Sequence, residues 1–330
     1  MDESEKPRKR KNRPRQSSSR IATRLQKRFA LPKRKNSISW PLRALRFSPQ
    51  LPKGRPLLVP SLSTLKRPLG MAFEYLVRAQ LQRINPLAVT GQWLAEEAIY
   101  AATQQLSESG YLYAEADYFI QGMSGRFERV TKQAKDPHKL ISHLYGFVEK
   151  AKVLETQFIK NGLLNRELLE SYLKLSRLHG QFVGSRAFVA PFDFDQVDPR
   201  AVHELEAMFD LVSWDQFKAK KRCLLRPQFR SSSDRGRFEP DLVIDDMIID
   251  LKALESRSLD RRDIDQLLLY FALAELEGFK GRRKGGINKL ALYFSRFADW
   301  LVIDLRNDYS PEKIEKFIVW HRKRRMPKIT

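Results

Sequence analysis

The chain of 330 residues carries 61 Lys plus Arg against 39 Asp plus Glu, a formal charge of +22, and is 42% hydrophobic, ample for a sizeable core. A single cysteine, Cys223, excludes an internal disulfide, a zinc ribbon and a four-cysteine iron–sulfur cluster, and suits a reducing cytosolic setting. The longest apolar run, the eight residues from Leu267 to Ala274, is too short for a membrane span, and the opening Met-Asp-Glu-Ser-Glu lacks the apolar stretch of a secretory signal. The expectation is a soluble cytoplasmic protein, associated with the nucleoid in a bacterium or nuclear in a eukaryote.

The charge is unevenly placed. Residues 1–60 hold 18 basic and 3 acidic side chains, so +15 of the +22 lies in the leading sixth of the chain. Rich in Lys, Arg, Pro and Ser, the first 36 or so residues offer few apolar groups to offset the entropy of ordering, and are expected to form a largely disordered basic arm. A short amphipathic helix fits Ile21 to Phe29, and Trp40 to Pro60 reads as an extended lead-in wrapped over the domain.

The first strong helix follows Gly70, where Met71, Phe73, Leu76 and Leu81 recur at helical spacing; 61–91 is taken as one unit. Residues 92–200 read as an all-α insertion, with a break at Gly162-Leu-Leu-Asn165, a stop at His179-Gly180 and a loop from Pro191 to Arg200. Ala201 to Val212 is a further helix. The texture then changes to short runs rich in Leu, Ile, Val and Phe, expected as strands over 221–229, 241–244, 247–253, 289–297 and 300–305. One long helix, Asp260 to Glu277, lies between the third and fourth and is closed by Gly278. Residues 201–320 thus form an α/β (α+β) core with a mixed central sheet flanked by helices, and 321–330 a basic C-terminal tail.

The most informative stretch is Glu239-Pro-Asp-Leu-Val-Ile-Asp-Asp-Met-Ile-Ile-Asp-Leu-Lys-Ala253. Taken as a hairpin turning at Asp245-Asp246, it pairs Ile244 with Met247, Val243 with Ile248, Leu242 with Ile249, and Asp241 with Asp250. Two carboxylates then stand opposed, an arrangement that costs free energy unless a cation lies between them. Lys252 is two residues beyond Asp250 and projects from the same face. Two hard oxygen ligands and a lysine suit Mg²⁺ or Mn²⁺, with the lysine orienting or deprotonating a nucleophile. The plainer reading is ordinary strand-end charge with Lys252 as an ion-pair partner.

Pro240-Asp241, eight intervening residues and Asp250-Leu251-Lys252 resemble the motif of the PD-(D/E)xK nucleases, and the order helix, three strands, helix, two strands is similar to their restriction-endonuclease-like core. Gln266-Leu-Leu-Leu-Tyr270 resembles the Gln-x-x-x-Tyr motif of the RecB-like branch, whose glutamine and tyrosine lie near the metal and the DNA; the two share a helix face. The branch's iron–sulfur cysteines are absent. The family also tends to supply an acid from an earlier helix. Glu74, within Gly70-Met-Ala-Phe-Glu-Tyr-Leu76, is the preferred candidate because the helical insertion explains its distance; Glu204 and Glu206 are the alternatives, and a solvated carboxylate is the plain competitor for each.

The resemblance implies a Mg²⁺-dependent (or Mn²⁺-dependent) deoxyribonuclease with Asp241, Asp250 and Glu74 as metal ligands and Lys252, Gln266 and Tyr270 completing the catalytic set. RNA stays open as a substrate, as do endo or exo mode, pathway and oligomeric state. Arg230 and the Lys280, Arg282, Arg283, Lys284 turn are assigned to the phosphate backbone, together with the arm and the 322–325 cluster; the insertion is offered as a surface for protein partners. The turn lacks the Gly-Lys-Ser/Thr of a nucleotide loop, and none of the five histidines has zinc-ligand spacing. The runner-up is a nuclease-like domain that binds nucleic acid or assembles a complex without cutting. A membrane-directed arm ranks lower, for want of an apolar stripe.

Overall fold

The computed structural model describes residues 56–91, 93, 95–96, 137–182, 196–229, 239–256, 260–282 and 284–325. The basic arm, the expected helix at Ile21 to Phe29, Arg230, the 231–237 stretch and Arg283 lie outside them.

Among the described residues the chain is mixed α+β, with seven α-helices and an open sheet of six strands. The helices are α1 (Lys66–Ile84), α2 (Pro137–Asn161), α3 (Arg166–Phe182), α4 (Pro199–Asp210), α5 (Arg261–Leu276), α6 (Leu305–Asp308) and α7 (Pro311–Arg325). The strands are β1 (Val89–Thr90), β2 (Cys223–Leu225), β3 (Leu242–Ile244), β4 (Met247–Lys252), β5 (Lys289–Phe294) and β6 (Asp299–Asp304), lying side by side in chain order. β1/β2 and β4/β5 are parallel and the other three pairs antiparallel. α5 makes the crossover between β4 and β5, as parallel neighbours require.

Local chemistry sets the helix ends. Asp198 and Asp260 accept a hydrogen bond from the second backbone N–H of α4 and α5 respectively, and Pro199 occupies a first-turn position where its missing N–H costs nothing. α5 ends at Gly278, whose φ of 72° closes the helix; a Cβ there would meet the Lys284 backbone at 3.1 Å.

Period-2 alternation splits the core in two. Leu225, Leu242, Ile244, Ile249, Ala291 and Tyr293 face α1 to α4, whereas Leu224, Val243, Ile248, Leu290, Leu292 and Phe294 face α5 and α7. α1 is the hinge of the first layer. Its Tyr75 stacks on Tyr172 of α3 at 5.5 Å, with Trp93 edge-on at 5.4 Å, which docks the helical insertion against the sheet domain.

The hairpin register is the expected one, Leu242 to Ile249, Val243 to Ile248 and Ile244 to Met247. The expected stop at His179-Gly180 does not hold, because α3 runs through it to Phe182, and four further expectations need correction. The strand over 221–229 shrinks to Cys223–Leu225, because Arg226 turns to φ 52° and Pro227 has no N–H for a ladder. The fourth strand stops at Phe294, where a 3₁₀ turn and Ala298 at φ 46° lead into β6. The two-residue β1 falls in a stretch too short and exposed to show a period. The basic tail begins as helix: α7 runs to Arg325, with His321 against Phe317 at 4.6 Å.

Candidate active site

The ladder between β3 and β4 ends at Leu242, and there the Asp241 carboxylate takes over from the backbone: its Oδ2 accepts from the Leu251 N–H at 2.7 Å, while its carbonyl accepts from the Arg226 N–H at 2.7 Å. Continuing the register places Asp241 opposite Asp250, on the sheet face that carries Val243 and Ile248. Asp250 is 5% exposed. α5 covers that face, and its Gln266 Nε2 donates to Asp250 Oδ1 at 3.3 Å and to the Tyr270 hydroxyl at 2.6 Å. The expected one-turn spacing of Gln266 and Tyr270 therefore becomes a contact with the acidic pair.

Lys252 lies 2.8 Å from Asp250 Oδ2 and 2.7 Å from Asp263 Oδ1. Burial alone would lower its pKa, but the two carboxylates outweigh this and hold the ammonium above its usual range. Lys252 is therefore a fixed cation that orients or stabilises charge; deprotonating a nucleophile would require Asp250 or Asp263 to be diverted first. Asp263 belongs to no motif singled out in the sequence, although 263, 266 and 270 follow one stripe of a helix that would have pointed to it.

Glu74 comes in from α1. Burial raises its carboxyl to about 7 against the pull of Arg78, with Asp250 adding to the rise. Burial likewise drives Asp241 well above its usual range, helped by the charges of Glu74 and Asp250, and burial raises Asp250 despite Lys252. Three carboxyls in one poorly solvated place cannot all ionise without a cation or shared protons. Asp250 Oδ2 is buried, and the Lys252 ammonium at 2.8 Å is its compensation. These features fit a hard divalent cation on Asp241 and Asp250. The expected third ligand does not close up: among the described residues no group of three or more His, Cys, Asp or Glu side chains is gathered to hold a metal, and Glu74 acts on the pair through its charge.

Glu204, an alternative acid, has another task. Fully buried, it accepts from the backbone N–H groups of Leu62, at 2.7 Å, and Ser63, and pairs with Arg296 at 2.5 Å. It ties the lead-in to the sheet. Glu206 is exposed on the outside of α4.

The basic turn starts where the Lys280 N–H meets the Gln228 carbonyl at 2.8 Å, two residues past the Arg226 that bonds Asp241. Lys280, Arg282 and Lys284 are exposed, and Lys280 Nζ donates to Gln228 Oε1 at 2.6 Å. The turn leads into β5 beside the Asp245-Asp246 corner, where the Asn288 N–H reaches the Asp246 carbonyl at 2.8 Å. Asp250 lies four residues further along β4, roughly 13 Å at about 3.3 Å per residue. A nucleic-acid duplex carries several phosphates over that distance. Asp245 is a latch for this corner: burial opposes its charge, but the N–H groups of Lys220, Lys221 and Arg222 hold its carboxyl below its ordinary value.

Cys223 is buried and its thiol is pushed up to about 12, mainly by burial, which leaves it inert at neutral pH. Among the described residues no helix is long and apolar enough to cross a membrane. Comparison with protein-family models, with curated proteins and with solved structures returns no match.

Proposed function

We propose that the chain is a metal-dependent nuclease with a restriction-endonuclease-like core, hydrolysing phosphodiester bonds of DNA. The observation that carries this reading is the pair of half-buried Asp241 and buried Asp250, set opposite each other beside Lys252 and Gln266, with burial raising both carboxyls and the charge of Asp250 raising Asp241 further. Asp241 and Asp250 hold the cation, Mg²⁺ or Mn²⁺. When bound, it supplies an acidified water and neutralises charge on the phosphate. Lys252, kept protonated by Asp250 and Asp263, contributes positive charge where the phosphate gains negative charge. Gln266 fixes the rotamer of Asp250, and Tyr270 fixes Gln266. The arm and the 280–284 turn attract the backbone without sequence preference.

A second reading, a nuclease-like domain that binds nucleic acid or a partner complex without cutting, is favoured by the double pairing of Lys252 and the lack of a gathered three-carboxylate group among the described residues. One experiment separates the two: cleavage of linear, circular and single-stranded DNA with Mg²⁺ or Mn²⁺, against Asp250→Asn and Lys252→Met. Metal-dependent cleavage by the wild type, lost in both folded variants, is expected. Salt-sensitive DNA binding with no cleavage at any metal concentration selects the second reading.

A further inference from the structure

Three buried arginines are described, Arg78, Arg226 and Arg296, and two are paired with a carboxylate. Arg296 pairs with Glu204 and donates to the carbonyls of Val59 and Ala253; Arg226 pairs with Glu239, directly before Pro240-Asp241. Arg78 differs. Although only 5% exposed, it has no carboxylate at ion-pair distance among the described residues. Its Nε reaches the Glu74 carbonyl at a long 3.4 Å, its guanidinium lies 4.6 Å over the Tyr75 ring, and its buried Nη1 has no hydrogen-bond partner.

A buried guanidinium with an unmet donor is destabilising unless something outside the chain meets it. The nearest acids do not. Glu155 is occupied on both oxygens, by the Tyr172 hydroxyl at 2.5 Å and by Gln82 at 3.5 Å. Glu74, one helical turn earlier on α1, feels the charge of Arg78 but offers it only a carbonyl. Glu74 and Asp241 are both half-buried, so the acidic cluster keeps some access to solvent.

We propose that Arg78 is a phosphate-binding residue of the site, whose guanidinium receives non-bridging oxygens of the DNA phosphate held beside Asp241 and Asp250. This rests on the nuclease reading above. An anion is what Arg78 lacks and what the carboxylates repel, so a phosphate can bind only where a cation and a guanidinium meet it together. The planar fork suits two oxygens of one phosphate, which a lysine ammonium does not match.

The test uses full-length protein, Arg78→Met and Arg78→Lys, a fluorescein-labelled single-stranded DNA bound in Ca²⁺ at several salt concentrations, and cleavage in Mg²⁺. Arg78→Met is expected to keep the wild-type thermal transition, bind about tenfold more weakly, and lower the slope of log K against log salt by about 0.7, the value of one single-strand phosphate neutralised. Arg78→Lys is expected to keep the slope and lose most of kcat/KM. Wild-type affinity and slope in folded Arg78→Met overturn the proposal. If that variant does not fold, a kcat/KM for Arg78→Lys within about twofold of wild type overturns it. A wild type that binds DNA without cutting refutes the nuclease reading, while the salt slope still decides the phosphate contact; a wild type that binds no DNA refutes both.

Discussion

Two charge clusters adjoin β4, and they are built on opposite principles. In the first, Glu204 meets Arg296 and the N–H groups of Leu62 and Ser63, and Arg296 directs its other donors to Val59 and Ala253. Charge is balanced, and both the carboxylate and the guanidinium are hydrogen-bonded. In the second, Glu74, Asp241 and Asp250 outnumber Lys252, which Asp263 also claims, and Arg78 Nη1 is left without a hydrogen bond. A saturated cluster locks a strap to a sheet. An unsaturated one costs stability in the free protein and returns it only to a ligand.

Breaking the first cluster has the largest expected effect. Arg296→Met leaves the Glu204 charge buried without its partner and is expected to destabilise the fold by about 3–5 kcal/mol, read from urea unfolding. Metal binding by the fraction that stays folded is expected to be unchanged. A loss under about 1 kcal/mol would show that the clamp is no stronger than a surface ion pair.

The second cluster is expected to respond to pH with the opposite sense from a salt-bridged carboxylate. Glu74 rises from 4.5 to about 7 on folding, so the folded chain binds its proton more tightly than the unfolded chain. Its contribution favours the fold below the unfolded value and is lost as pH climbs through the folded one. Stability should fall between about pH 4.5 and 7 by up to about 3.5 kcal/mol, at about 1.4 kcal/mol per pKa unit. Mg²⁺ should flatten that fall, because a cation on Asp241 and Asp250 favours the charged form of Glu74 beside them. Glu74→Gln should remove much of it; an unchanged pH profile in that variant would place the coupling elsewhere.

A smaller change is expected from Asp241→Asn. The amide oxygen can still accept from the Leu251 N–H, so the hairpin end is kept while one of the repelling charges is removed. The metal-free protein should gain about 1 kcal/mol at about pH 8, and the rise in Tm on adding Mg²⁺ should disappear. A metal-dependent rise that survives would remove Asp241 from the ligand set.

How far each cluster can be read from the sequence follows from the range of the interactions that build it. The hairpin register, the Asp241 to Asp250 opposition and the Gln266 to Tyr270 stripe are consequences of period 2 and period 3.6 within short segments, and all three are legible. Asp263 lies within reach of the same helical period. Glu204 is different: it occupies the place where an acid is sought, yet its partners are 92 and 142 residues away, at Arg296 and Leu62. No local pattern distinguishes a clamp from a ligand there. Arg78 is hidden for a related reason, since an arginine one turn after Glu74 looks like an ordinary helical ion pair until burial and the occupied state of Glu155 are known.

The least effect is expected at the exposed turn, and it sharpens the contrast by separating attraction from chemistry. Lys280 is hydrogen-bonded to Gln228, and the turn that holds Lys280 and Lys284 leads into β5 beside the Asp245-Asp246 corner, with both lysines exposed. Replacing both by alanine should leave stability within about 0.5 kcal/mol, as for surface sites that carry no special role. Each phosphate interaction removed in this way should lower the salt slope of duplex binding by about 0.9, with a weaker affinity that is uniform across sequences. With substrate saturating, the cleavage rate should be unchanged, because neither lysine is paired with the acids. A fall in that rate with no change in salt slope would mean that the turn bends toward the acidic cluster when DNA is bound, and the two ends of the sheet would then act as one site.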